Sequence, residues 1–148
     1  SNKGHEFGYQ NYSKAQIISL TTLSKYLIKK YNINKKNIVG HSDVVVDRKK
    51  DPGEKFPWEV LSKNGIGLWH NLNYKNLKKL RKKIVEQNDQ KKFIISLKSI
   101  GYLTKNLSNK KFFKLIKSFQ RRFRPELVNG KIDKECFVIA KKLNKLYD

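Results

Sequence analysis

"GHSDVVVDRKKDPG", residues 40–53, holds a histidine and an aspartate ten positions apart, with lysines between them and Pro52-Gly53 straight after. The apolar run around its start, "IVGHSDVVV", predicts a short buried strand followed by a loop. A strand fixes the backbone of its residues and so holds His41 firmly, and a loop of this length can return Asp51 to the same point. Neutral imidazole nitrogen and carboxylate oxygen are both ordinary zinc ligands, but a catalytic zinc takes three protein ligands and keeps a further position open. Two are in view here. The spacing leaves a metal pair and a capped, hydrogen-bonded polar loop both open. Asp43 is expected to cap or brace that loop, or to orient an imidazole.

Upstream, Ser13 reads as the N-cap of a helix through about Tyr31. Ile17, Leu20, Leu23, Leu27 and Tyr31 give it an apolar stripe, and "YNINKKN" breaks it. Downstream, "DPGEKFPWEVLSKNG" reads as a turn and a short helix, with Pro57 near its first position and Asn64-Gly65 closing it. Leu77, Leu80 or Arg81, and Ile84 outline a very basic helix over about residues 73–87. The polar stretch "EQNDQKK" then reads as a boundary. The order helix, strand, loop implies an α/β architecture, a mixed sheet flanked by helices. Three helical patterns follow the boundary. Phe93, Leu97 and Ile100 end at Gly101, which suits a C-cap. Phe112, Leu115 or Ile116, Phe119 and Phe123 are stopped by Pro125. Asn129-Gly130 makes a turn, Asp133 caps, and Cys136, Ile139, Ala140 and Leu143 face inward. The expected organisation is an α/β domain over residues 1–88 and a small three-helix domain over residues 89–148.

A chain of 148 residues can bury one core, or a main domain and a small one. Its 38% hydrophobic content argues for folded structure. No apolar run approaches the roughly 20 residues of a membrane span, and no signal peptide is visible. The absence of methionine implies that the sequence is not a complete translation product. The net charge of +22 is spread along the chain, with 18 basic against 8 acidic residues through Gln90 and 16 against 4 beyond it. A polyanionic partner would explain it. Biased composition explains it as well, since 29 of the 34 basic residues are lysine, and Lys, Asn and Ile share A/T-rich codons. A dedicated nucleic-acid reader carries more arginine for bidentate contacts, so no specific nucleic acid is expected. The single Cys136 excludes an internal disulfide and reads as a core thiol, leaving the compartment open.

Beyond these readings, "NIVGHSDVVVDRKKDPGEKFPWEVLSKNGIGLW" resembles the zinc-dependent N-acetylmuramoyl-L-alanine amidases, the type-2 amidase family. In that family G-H-S-D, a basic loop, D-P-G and F-P-W come in this order. "NKGHEFGYQNYSKAQIISL" resembles the stretch just beyond the family's catalytic glutamate strand, so the likeness runs over about residues 2–70. "LKSIGYLTKNLSNKKFFKLIKSFQRRFRPELVNGKIDKE" is similar to the three-helix peptidoglycan-binding module, with its G-Y, F-Q-R-x-F and N-G features. The resemblance implies that His41 and Asp51 are two Zn2+ ligands. It implies that Lys49 lies beside the metal, where a cation stabilises an oxyanion. It places His5 and Tyr9 along the substrate groove. Phe7, Phe56, Trp58 and Trp69 could stack on sugars, though aromatics beside Pro and Gly are more often local core. The family's first zinc histidine and its glutamate base precede the matching segment. Neither Glu6, an acid near the cleft, nor His70, a surface or packing residue, replaces them, so the N-terminal part of the catalytic domain is expected to lie upstream of Ser1.

The implied activity is zinc-dependent hydrolysis of the amide between N-acetylmuramic acid, or its 1,6-anhydro form, and L-alanine. The implied partner is peptidoglycan or a muropeptide, met in the bacterial envelope or periplasm, with the cytoplasm as the alternative. Two alternatives stand beside it: a non-catalytic muropeptide-binding relative, and a basic nucleic-acid-binding protein. The sequence carries no signal for an oligomeric state.

Overall fold

In the computed structural model, which describes residues 10–147, Ser13 opens helix α1 (Lys14–Tyr31) as its position predicts. Its hydroxyl accepts from the Gln16 N–H at 3.2 Å, and the Gln16 side chain accepts from the Ser13 N–H at 2.8 Å. This reciprocal capping box satisfies two of the amides that a helix start leaves free. Asn32, at φ 49°, closes the helix in the left-handed region. The half-buried face is Ile17, Leu20, Ser24 and Leu27, whereas Leu23 and Tyr31 of the expected stripe are exposed.

The expected mixed sheet is overturned: the described residues form seven α-helices, one 3-10 turn (Lys35–Asn37) and no strand. The stretch read as a buried strand is instead α2 (His41–Val44), a single turn. Its backbone groups find partners locally rather than in a neighbouring ladder. The Gly40 N–H donates to the Asp43 carboxylate at 2.8 Å, and the Asp43 and Val45 N–H groups donate to the Gly40 and His41 carbonyls at 3.0 Å each. The preference of a valine run for strands is weak and yields to such context. Val44 ends up 64% exposed, where a buried strand would have covered it.

α3 (Trp58–Lys63) follows as the sequence predicts, with Pro57 just before it and Asn64-Gly65 after it. Gly65 sits at φ +80°, which glycine adopts without strain. Three longer helices then enclose the main core: α5 (Gln87–Ser99), α6 (Asn109–Phe123) and α7 (Lys134–Tyr147). Phe93 and Leu97 from α5, Leu115, Ile116, Phe119 and Phe123 from α6, and Cys136, Ile139, Ala140 and Leu143 from α7 are all buried in it. These are the inward residues the periodicity selects, except that Phe112 is half-buried at the edge. Phe119 lies at the centre, edge-on to Phe93 at 5.3 Å between ring centroids. Gly101 ends α5 at φ +96°, and the Asp133 carboxylate accepts from the Cys136 N–H at 3.0 Å to start α7.

The basic helix expected over residues 73–87 is shorter, α4 (Tyr74–Leu80), and Ile84 of its predicted stripe is 88% exposed. Tertiary ion pairing stops it. Arg81 grips Glu135 with two nitrogens at 2.6 and 2.7 Å, and the Lys82 N–H donates to Asp133 at 3.1 Å. Arg124, 1% exposed, bonds both carboxylates, at 2.5 Å to Asp133 and 3.3 Å to Glu135. Leu77 of α4 packs into the same core as α5–α7, and Gln87, within the polar stretch before the bundle, begins α5.

His70 is a packing residue, 5% exposed. Its Nε2–H donates to the Phe123 carbonyl at 3.2 Å, and its Nδ1 accepts from the Leu72 N–H at 3.0 Å. That pair of bonds requires the neutral ring, and burial pushes its pKa down to about 4. Burial raises the Asp133 carboxyl, but the Cys136 and Lys82 amides and the Arg124 guanidinium outweigh it and hold it below the usual range. Both groups titrate upward on unfolding, so the unfolded chain takes up more protons and acid destabilises the fold. Folding stability is expected to fall as pH drops from 6.5 to about 4 through His70, by on the order of 3 kcal/mol. It should fall further below about pH 4 through Asp133. Urea titrations across this range check it, and His70→Gln should flatten the first slope while lowering stability at pH 8. Burial also pushes the Cys136 thiol up to about 12. A thiol reagent at pH 8 should label it in the denatured chain and not in the native one.

Candidate active site

His41 is the first residue of α2, and Asp51 lies ten positions on, at the end of the basic loop. The loop does return the aspartate to the histidine: His41 Nδ1 and Asp51 Oδ2 are 3.0 Å apart, with the side chains 48% and 61% exposed. The main chain helps, since the Ser42 N–H donates to the Asp51 carbonyl at 2.9 Å. Lys49 is exposed two residues before Asp51, its backbone held by a 3.0 Å bond from its N–H to the Val45 carbonyl. Tyr12 anchors the far side of the loop, donating from its hydroxyl to the Pro52 carbonyl at 2.8 Å. His5 and Tyr9, expected along the groove, lie outside the described residues, as do Glu6 and Phe7.

The pair suits a zinc ion. Donors bound at about 2.0–2.2 Å in a tetrahedron stand roughly 3.3 Å apart, and a nitrogen beside an anionic oxygen is an ordinary zinc donor set. At 3.0 Å the two atoms are at hydrogen-bond distance, a few tenths of an ångström closer than that edge, so a small separation of the pair would let both face one ion. Among the described residues no cluster of three or more His, Cys, Asp or Glu side chains converges. A further ligand therefore has no candidate within residues 10–147.

Asp43 braces this loop, as its place after His41 suggests. One of its oxygens accepts from the Gly40 N–H and from Arg122 Nη1 at 2.6 Å, and the other from the Tyr102 hydroxyl at 2.7 Å. Tyr102 is buried, and that burial, followed by the neighbouring Asp43 charge, holds its phenol protonated well above the ordinary value. The Arg122 guanidinium lies 4.2 Å from the centre of the Trp58 ring. Trp58 is 6% exposed and Trp69 half-buried against Phe123, so both are core rather than free stacking platforms. Phe56 packs on Trp58 and Tyr12. Arg122, Ser118 and Tyr102 carry no signal of a role in this loop when the sequence is read alone. They belong to stretches that look like bundle core, and only the three-dimensional fold sets them against residues 38–54. On the other face of α2 a cavity of about 770 Å³ opens between Val44–Arg48 and the turn at Gly101–Leu103, with Lys36 and Lys111 in its lining.

Residues 2–54, the segment that contains both candidate donors and Lys49, match the family model described as N-acetylmuramoyl-L-alanine amidase. Over 137 residues, 92% of this chain, the sequence is 34% identical to the N-acetylmuramoyl-L-alanine amidase AmiD of Escherichia coli (strain K12), covering 50% of that protein. The structure of AmiD from E. coli with the substrate anhydro-N-acetylmuramic acid-L-Ala-D-gamma-Glu-L-Lys superposes with a TM-score of 0.79 at 31% identity, over 95% of this chain and 55% of that one. The 1,6-anhydro-N-acetylmuramyl-L-alanine amidase AmpD of Haemophilus influenzae is 45% identical over 51 residues, 34% of this chain and 28% of its own length. The likeness to type-2 amidases read from the sequence is thus borne out, and the chain spans about half the length of AmiD.

Gly40 is the tightest point of the loop. A Cβ there would stand 2.9 Å from Pro52 Cδ and 3.2 Å from both the Asp43 carboxylate and the Trp58 ring. Its φ of −84° suits any residue, so the constraint is space alone. Gly40→Ala should cost about 1–3 kcal/mol in chemical denaturation, the range for overpacking. It should also displace the His41–Asp51 pair in a crystal structure of the variant.

Proposed function

We propose that this chain forms part of a zinc-dependent amidase that cleaves the bond between N-acetylmuramic acid and the L-alanine of a peptidoglycan stem peptide. The observation that carries the reading is the 3.0 Å meeting of His41 and Asp51 across a ten-residue loop, within the segment that matches the amidase family. His41 and Asp51 would hold the ion, and a third donor and the general base would come from residues outside 10–147. When bound, zinc supplies Lewis acidity and favours ionisation of water. Lys49 extends from the loop between the two donors and stabilises negative charge on the scissile carbonyl oxygen as the amide breaks. Arg48 and Lys50 flank it, and this excess of positive charge favours the approach of acidic stem peptides.

The substrate bound in the AmiD complex carries anhydro-N-acetylmuramic acid, and this supports muropeptides of that form as substrates alongside intact wall. We place residues 1–88 with catalysis and residues 89–148 with binding of wall fragments, and the site of action in the envelope rather than the cytoplasm. No helix among the described residues is long and apolar enough to cross a membrane.

Zinc content of the full-length protein, parent beside His41→Ala and Asp51→Ala, tests the reading. About one zinc per chain is expected in the parent and loss in both variants. Lys49→Ala should keep its zinc while amide cleavage of a muropeptide slows by about 10²–10³-fold, as for loss of an oxyanion donor. Zinc retained in both ligand variants would overturn the assignment. Muropeptide binding without cleavage in zinc-loaded parent would leave a non-catalytic wall-binding protein.

A further inference from the structure

His41 and Asp51 are exposed, and their side chains are tied to each other rather than to the core. What holds the loop between them is α6. Four side chains spread over little more than two turns of this helix reach across to it. Lys114 Nζ donates to the Asp47 carbonyl at 2.6 Å, and the Ser118 hydroxyl to the Ser42 carbonyl at 2.5 Å. Arg121 pairs with Glu54 at 3.1 Å. Arg122 bonds Asp43 at 2.6 Å and the Ile38 carbonyl at 2.9 Å. These contacts flank both donors: Ile38, Ser42 and Asp43 surround His41, while Asp47 and Glu54 bracket Asp51. The helix can do this because it is itself immobilised, every residue from Ser118 to Phe123 being buried. A loop otherwise free to sample many conformations must lose that freedom to present two donors 3.0 Å apart. The bundle has already ordered α6, so the loop inherits a fixed geometry.

We propose that Arg122 and Ser118 are positioning residues for the metal pair, so that the three-helix bundle sets the geometry of the catalytic loop in addition to any part it takes in holding wall fragments. The proposal rests on the amidase reading for its consequence in catalysis. Arg122 acts through Asp43, which in turn fixes the Gly40 amide and the first turn of α2. Ser118 acts through the carbonyl of Ser42, the residue after His41, whose own N–H donates to the Asp51 carbonyl.

The test uses the full-length protein as parent, Arg122→Gln, Arg122→Lys and Ser118→Ala, with Lys110→Ala on the exposed side of α6 as control. Amide hydrogen exchange is followed separately for residues 40–54 and for α5 and α7, and Zn2+ affinity is measured by competition with a chromophoric chelator. In Arg122→Gln and Ser118→Ala the loop should exchange about tenfold or more faster while α5 and α7 keep their protection. Zinc affinity should fall by about 10–100-fold, the usual effect of removing groups that orient ligands. Arg122→Lys keeps a charge beside Asp43 but cannot also bond the Ile38 carbonyl, and it should fall between parent and Arg122→Gln. Should Arg122→Gln fail to fold, Ser118→Ala decides, since it removes one hydroxyl and leaves no charge unpaired. Unchanged loop exchange in Ser118→Ala and Arg122→Gln, or an equal rise throughout the chain, would overturn the proposal. A parent that binds no zinc would sink the amidase reading instead, and the exchange comparison would still decide whether α6 positions the loop.

Discussion

The ion pair between Arg122 of α6 and Asp43 of α2 ties the candidate metal loop to the helical bundle, and the geometry of that loop is arranged around it. The two side chains are 3% and 7% exposed and 2.6 Å apart. Charges so far from water are tolerated only when every partner is in place, and removing one partner of such a pair typically costs about 3–5 kcal/mol. The same accounting says that the intact pair adds little net stability compared with an apolar replacement. Its contribution is specification: Asp43 has one position in which it can receive Arg122, Tyr102 and the Gly40 amide together. The rings of Trp58 and Phe123, 4.2 and 4.9 Å from the guanidinium, exclude water from that point and favour the flat cation over a lysine.

Four of the five arginines behave differently from the 29 lysines, the exposed Arg48 being the exception. Arg81, Arg121, Arg122 and Arg124 all pair with carboxylates in the interior or at its edge. Among the described residues no lysine is buried. A planar, weakly hydrated guanidinium can enter the interior and bond two acceptors, whereas an ammonium keeps its hydration at the surface. The large net charge is therefore mostly a lysine-coated exterior, and four of the five arginines that a nucleic-acid reader would present to bases are turned inward. This agrees with a protein whose partner is chosen by a site rather than by its overall field. The field still speeds encounter with acidic material.

Much of the helical bundle was legible because its signals are local. The caps at Ser13 and Asp133, the glycine at position 101 and the spacing of the Phe, Leu and Ile residues depend on neighbours three or four positions away. The ten-residue separation of His41 and Asp51 pointed to a returning loop, and the loop closes as that spacing allows. The strand expected at residues 38–46 failed because an apolar run states only that burial is wanted, not which backbone partners will be available. The long basic helix after residue 73 failed for a similar reason: Arg81 and Lys82 are drawn to carboxylates more than fifty positions away.

By itself, then, the sequence determined the helices that end in caps and glycines, the apolar faces that make the bundle, and the chemistry of a histidine and an aspartate placed to meet. Those outcomes follow from short-range sterics, hydrogen bonding and periodicity. Tertiary structure alone decided that residues 41–44 coil instead of extending, that α4 stops at Leu80, and that α6 grips the candidate metal loop. The end of α4 and the grip of α6 each turn on a charged side chain finding its counter-charge across 50 to 80 residues of chain, and no local pattern encodes which of several carboxylates an arginine will reach.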